Sequence, residues 1–236
     1  MTSSLKDHVQ KLLEEHRGER VFRFKYLGKH YWLKQPEQLK GIWLLLKPYP
    51  KQHFKEECEI LQHLNNIGAP VPKLCGFGDD YLVLEDAGPT LNIWLNDETL
   101  SWAEKSHILH SAIEILINLH QQGIIHGRPA IRDIAWKDGK ISFMDFESHS
   151  KSHNEHWLIT RDMLAFLDSL CRVKGLDDEK LNELFDYYKS HCPTTYWVDM
   201  LRFRWLYYLL LPFKPIARTD LLAVYRLFEH LTKENL

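Results

Sequence analysis

Two short segments concentrate the residues that could do chemistry. The first is His126-Gly127-Arg128-Pro129-Ala130-Ile131-Arg132-Asp133. The second is Ile141-Ser142-Phe143-Met144-Asp145-Phe146-Glu147. Between them they supply two carboxylates twelve residues apart, Asp133 and Asp145, and a cation, Arg128. Carboxylates are good ligands for Mg2+, and a guanidinium is a good partner for phosphate oxygens. Such a set is compatible with phosphoryl transfer. That reaction asks for held phosphates, charge neutralised by metal and cations, and an oriented acceptor, and for little covalent work by the protein.

The run Leu119-His120-Gln121-Gln122-Gly123-Ile124-Ile125-His126-Gly127, followed by Asp145-Phe146-Glu147, resembles the catalytic loop and metal-site strand of protein-kinase-like enzymes. The pattern is most similar to the compact atypical kinases: the lipopolysaccharide-core Kdo and heptose kinases, the RIO-type kinases and the small kinase of the KEOPS complex. The resemblance covers about residues 20 to 170. It implies an α+β, two-lobed kinase-like fold, with a β-rich lobe over residues 1–88, a helical lobe over 89–236 and an ATP cleft between them. Lys34 would then reach the nucleotide phosphates, and Glu57 would fix that lysine. Glu85-Asp86-Ala87-Gly88 would be the hinge, holding adenine through the backbone at Glu85 and Ala87. Asp133 and Asp145 would bind Mg2+, His126 would brace the loop backbone, and Asp162 would buttress it from a following helix.

Four departures accompany the match. Arg128 stands where such enzymes carry the catalytic Asp, and a guanidinium cannot accept a proton. Asp133 stands where the loop's metal-binding Asn belongs. No glycine-rich phosphate loop precedes Lys34, and Glu147 replaces the Gly of the metal-site triplet. The expectation therefore divides. One reading is an ATP- and Mg2+-dependent phosphotransferase in which Arg128 stabilises the transferring phosphoryl group, as arginine fingers do. Its acceptor would be a lipopolysaccharide-core sugar, another small alcohol or a protein Ser/Thr. The other is a pseudokinase, a nucleotide-binding or interaction module. His149, His153 and His156 have spacing that can bind zinc, but their polar surroundings read as a loop.

The elements that must position these residues can be read from local pattern. Leu5 to Arg17 carries apolar residues at helical spacing. Val21–Tyr26 and His30–Lys34 alternate like strands around Leu27-Gly28, a hairpin signal. Gln52 to Asn65 reads as a helix that stops at Gly68, with Pro70 and Pro72 beyond. Lys73–Gly78 and Tyr81–Leu84 read as two further strands, and Gly88-Pro89 as a break. Ser101-Trp102-Ala103-Glu104 is a capping box, opening a helix to about Gln122. Ile124-Ile125 and Ile141–Met144 read as short strands. Helices follow at about 156–173, 178–191, 196–211 and 218–233.

Composition sets the class. Hydrophobic residues make up 44% and charged residues 26%, as in ordinary globular proteins. A formal net charge of -2 offers no basic field for nucleic acid. Four scattered cysteines without a C-x-x-C pair suit a reducing compartment. The first twenty residues lack the apolar core of a signal peptide, and no apolar run reaches membrane-span length, so the expected location is cytoplasmic. Trp197 to Tyr208 mixes aromatics with Arg202 and Arg204. It reads first as a core helix of the second lobe with its basic residues exposed, and alternatively as a peripheral contact with the inner membrane.

Overall fold

The structure is a computed structural model, and it describes residues 3–37, 50–146 and 154–233. Pro48, Glu147, His149 and His153 lie outside the described residues. The architecture is α+β: a small antiparallel sheet precedes a helical C-terminal region. Two compact units are present, Met1–Gly88 and Pro89–Leu236.

In the first unit, α1 (Ser3–Glu15) precedes a hairpin of β1 (Val21–Tyr26) and β2 (Lys29–Lys34). The two-residue turn places both Leu27 (φ 45°) and Gly28 (φ 80°) in the left-handed region. That is the primed turn whose twist matches the strands it joins. It sets the register from Tyr26 opposite Lys29 to Val21 opposite Lys34. Helix α2 (Pro50–Asn66) leads to β3 (Leu74–Phe77) and β4 (Leu82–Glu85), and the sheet order is β1-β2-β4-β3. Gly68 (φ 71°) ends α2, with the Ala69 N–H donating back to the Leu64 carbonyl at 2.9 Å, a Schellman closure.

Strand alternation assigns the two sheet faces. Phe24, Tyr31, Leu33 and Val83 pack with Leu5, Val9 and Leu12 of α1. Leu82 packs with Phe54, Cys58 and Leu61 of α2, joined by Leu74 and Leu84. Successive side chains of a strand point to opposite faces, so α1 and α2 cover opposite sides of one sheet.

In the second unit, α3 (Leu91–Asn96) and α4 (Trp102–Gln121) come first. The capping box at Ser101 is present in full: the Ser101 N–H donates to Glu104 at 2.8 Å, and the Glu104 N–H donates to the Ser101 hydroxyl at 3.3 Å. A 3₁₀ turn (Ile131–Asp133) feeds β5 (Ile134–Lys137), which pairs with β6 (Lys140–Phe143) through an Asp138-Gly139 turn. Then come α5 (Glu155–Cys171), α6 (Asp178–His191), α7 (Thr194–Leu201), α8 (Trp205–Leu210), a second 3₁₀ turn (Leu211–Ile216) and α9 (Thr219–Lys233). Among the described residues no helix is long and apolar enough to cross a membrane.

Three expectations are corrected here. Ile124-Ile125 is not a strand; the Ile124 N–H donates back to the Leu119 carbonyl at 2.9 Å, and the next residues are held by the Asp162 side chain rather than a sheet partner. The helix expected over 196–211 is two helices, broken by a turn at Arg202–Arg204. The reading of this segment as a core helix holds only for its first half. Trp197 and Met200 are buried, whereas α8 buries none of its side chains.

Candidate functional site

In the first unit, Lys34 closes β2 opposite Leu82. Leu33 faces α1, so alternation turns Lys34 to the side covered by α2. There it forms an ion pair with Glu57. Both side chains are mostly covered, at 13% and 24% exposure, which shields the pair from the screening that weakens surface ion pairs. The neighbouring acids of α2 serve elsewhere. Glu56 accepts from Gln52 at 3.1 Å, and Glu59 lies 3.9 Å from Lys55. Beside the pair, burial pushes the Cys58 thiol up to about 11, with the Glu57 charge adding to the effect, so Cys58 is not a thiolate nucleophile.

At the end of β4, Glu85 pairs with Lys29 at 3.0 Å. Asp86 accepts from Trp32 Nε1 at 2.9 Å and from Arg23 at 2.6 Å. Burial opposes ionisation of Asp86, but these two donors and the Arg23 charge outweigh it and hold its carboxyl below the usual range. The backbone N–H groups of Glu85 and Asp86 are taken by the Lys73 and His30 carbonyls. Among the described residues none takes the peptide groups of Ala87.

In the second unit the loop after α4 is held from within. Asp162, in α5, is fully buried. It accepts the backbone N–H of His126 at 2.8 Å and that of Gly127 at 3.0 Å, and His120 Nε2 lies 3.3 Å away. Gly127 has φ 103°, a conformation that L side chains rarely adopt. The His126 ring reaches the Met144 carbonyl through Nε2 at 2.8 Å, and the Met144 N–H donates to the Asp133 carbonyl at 2.8 Å. These bonds lace the two chemical segments together.

Asp133 and Asp145 therefore sit within electrostatic reach of one another. Burial chiefly, and then the Asp145 charge, push the Asp133 carboxyl up, while Arg132 and Arg128 pull it down. Asp145 is exposed and takes φ 57°, a costly backbone for a non-glycine residue of the kind that gathers at functional sites. Its neighbour Phe146 turns inward against the His126 ring at 4.5 Å between centroids. Two carboxylates are the usual protein share of a Mg2+ site that also takes phosphate and water, so this pair fits that ion. Among the described residues no group of three or more His, Cys, Asp or Glu forms a metal cluster. His156 pairs with Asp199 at 2.9 Å.

Arg128 is exposed, and it lines a pocket of about 720 Å³ with Asn92, Arg132, Asp168, Arg172 and Lys174. Asp168 Oδ2 meets Arg172 Nε at 2.7 Å. Its Oδ1 is buried with no hydrogen-bond partner among the described residues. Asn92, Asp168, Arg172 and Lys174 were not among the residues expected from sequence. The i, i+4 spacing of Asp168 and Arg172 was the one local signal, and it reads as an ordinary helical ion pair.

No family model matches the chain. A protein of Haemophilus influenzae described as uncharacterized is 49% identical over 233 residues, covering 97% of this chain and 96% of that one. At that identity and coverage the two share their fold. This chain belongs to the same family as that Haemophilus influenzae protein.

Proposed function

We propose that this chain is an atypical ATP- and Mg2+-dependent phosphotransferase with a compact, two-lobed kinase-like fold. The Lys34–Glu57 ion pair carries the reading. A strand-end lysine oriented by a helix acid is the device by which kinase-like enzymes hold nucleotide phosphates. The paired carboxylates Asp133 and Asp145 and the uncommitted peptide at Ala87 support the same reading.

ATP would supply the phosphoryl group, and Mg2+ would neutralise charge on it. Lys34 holds phosphate oxygens, and Glu57 keeps its ammonium in place. Asp133 and Asp145 would hold the metal. Arg128 meets the charge that develops on the transferring group. A new bond forms between phosphorus and the acceptor oxygen as the bond to the nucleotide breaks. The acceptor proton leaves to water. Without a catalytic Asp, the reaction forgoes a general-base contribution of roughly 10²–10⁴-fold, so slow turnover is expected. The pocket beside Arg128 is the place for the acceptor, a core sugar of lipopolysaccharide, another alcohol or a protein hydroxyl. A reaction that consumes ATP belongs in the cytoplasm.

Arg128 itself favours the second reading, a pseudokinase that binds nucleotide without transfer. Substituting Arg128→Asp separates the two: a gain in transfer marks a decayed site, and a loss places Arg128 in the chemistry. The first experiment is a thermal-shift titration with ATP, with and without Mg2+, on the wild type and on Asp145→Ala. Saturation at 100 times Kd stabilises a protein by about 2.7 kcal/mol. A Mg2+-dependent shift that Asp145→Ala removes is the expected result. No shift under any condition overturns the nucleotide-binding reading.

A further inference from the structure

We infer that the segment from Arg202 to Arg218 is a docking surface for an anionic phospholipid bilayer. The inference is independent of the phosphotransferase reading. In α8, Trp205, Tyr208 and Leu209 follow i, i+3, i+4 spacing and so share one face. They are 56%, 64% and 58% exposed. The opposite face is occupied: Tyr207 donates to Glu229 of α9 at 3.2 Å, and the Leu210 carbonyl accepts from Tyr225. In the following 3₁₀ turn, Phe213 and Ile216 are three residues apart and eclipse one another. They are 53% and 76% exposed, with Leu211 at 41%. Six large apolar side chains within twelve residues thus face away from the unit that carries them.

Charge chooses the occupant. From Met200 to Thr219 the chain contains no Asp or Glu, and it carries Arg202, Arg204, Lys214 and Arg218. Asp199 answers Arg202 at 2.9 Å, and Glu229 answers Lys214. Among the described residues no acid pairs with Arg204 or Arg218. Trp and Tyr rings beside Arg and Lys are the composition that settles in the headgroup layer, the apolar side chains entering the acyl boundary and the cations meeting lipid phosphates. A second copy of the chain fits poorly, because a symmetric contact would set this cationic, acid-free stretch against itself.

The test is co-sedimentation of the full chain with vesicles containing phosphatidylglycerol and with vesicles of phosphatidylcholine alone. The protein should pellet with the anionic vesicles, far less with the neutral ones, and less at ~1 M salt, where screening is strong. Trp205→Ser combined with Phe213→Ser should lower the partition coefficient ~10-fold or more. Arg204→Gln and Arg218→Gln should each lower it about fivefold. Circular dichroism melting of each variant verifies that it is folded. Protein left in the supernatant with anionic vesicles overturns the proposal, as do variants that bind like the wild type. A concentration-dependent dimer in light scattering that the Trp205/Phe213 variant dissolves also overturns it, since a second copy then covers the face.

Discussion

Asp162 accepts the backbone N–H of His126 at 2.8 Å across 36 residues of sequence. With its other oxygen on the Gly127 N–H, the carboxylate ties α5 to the loop that carries Arg128. A fully buried acid is costly unless satisfied, and this one is satisfied by the backbone it positions. Asp162→Ala leaves two buried N–H groups without an acceptor. It is expected to cost about 3–5 kcal/mol, read from urea unfolding of the purified chain. Asp162→Asn keeps an acceptor oxygen and should cost less. A loss below about 1 kcal/mol for the alanine variant would show that the loop is held by other means.

The Lys34–Glu57 pair has a sharper functional consequence. Lys34→Met preserves the aliphatic stem and removes the charge, so the sheet should remain folded. On the proposed function, the Mg2+·ATP thermal shift should disappear and any transfer activity should fall ~10²-fold or more. Glu57→Gln keeps a hydrogen-bond acceptor and should give a smaller loss of both. A Lys34→Met protein that binds nucleotide like the wild type would remove Lys34 from the site.

Asp133 predicts a trade between stability and binding. Burial first, and the Asp145 charge second, raise its carboxyl above the ordinary value. The folded state therefore holds this proton more tightly than the unfolded chain. Ionising Asp133 as the pH rises works against folding, and that cost is fully present at neutral pH. Asp133→Asn should raise the melting temperature of the nucleotide-free protein at pH 7 and weaken its Mg2+-dependent response to ATP. The stability gain should shrink toward acid pH, where the wild-type carboxyl is protonated too. Calorimetry across pH, with and without Mg2+·ATP, reads both effects.

His230 gives the second unit a dependence on acid. Burial chiefly, with the Lys233 and Arg226 charges, lowers its value from the ordinary 6.5, against the pull of Asp178. Its Nδ1 lies 2.7 Å from Asn182 Oδ1. A base held neutral in the fold takes up its proton more readily when unfolded. Its contribution to stability is therefore present above pH 6.5 and is lost as the pH falls below that through the folded value. His110 is lowered in the same sense, again chiefly by burial. The unfolding midpoint should drop by a few degrees between about pH 7.5 and 5.5, and His230→Gln should flatten that slope. An identical slope in the variant would assign the acid sensitivity to other groups.

Local chemistry alone specified much of this protein. Leu27-Gly28 between two alternating runs dictates a hairpin, because few turns match strand twist. Gly68 ends α2, because only a left-handed residue closes its last carbonyls. Ser101 and Glu104 start α4 by satisfying each other's backbone. Such features need only neighbours within a few residues, so they are legible in one dimension. The arrangement of the candidate site is not of that kind. Glu57, the acid that the resemblance singled out, meets Lys34 because Phe54, Cys58 and Leu61 set the phase of α2 on the sheet. Asp133 and Asp145 come together because Met144 bonds to Asp133 and His126 to Met144. The strand expected at Ile124-Ile125 is absent: the Ile124 N–H turns back to the Leu119 carbonyl, and Asp162, far along the chain, takes the backbone N–H groups that follow. Trp205, Tyr208 and Phe213 show the same limit: their spacing suits burial, yet α9 covers only one side of α8. Whether a side chain is buried depends on which elements pack against it, and that is decided by long-range contacts that no local pattern encodes.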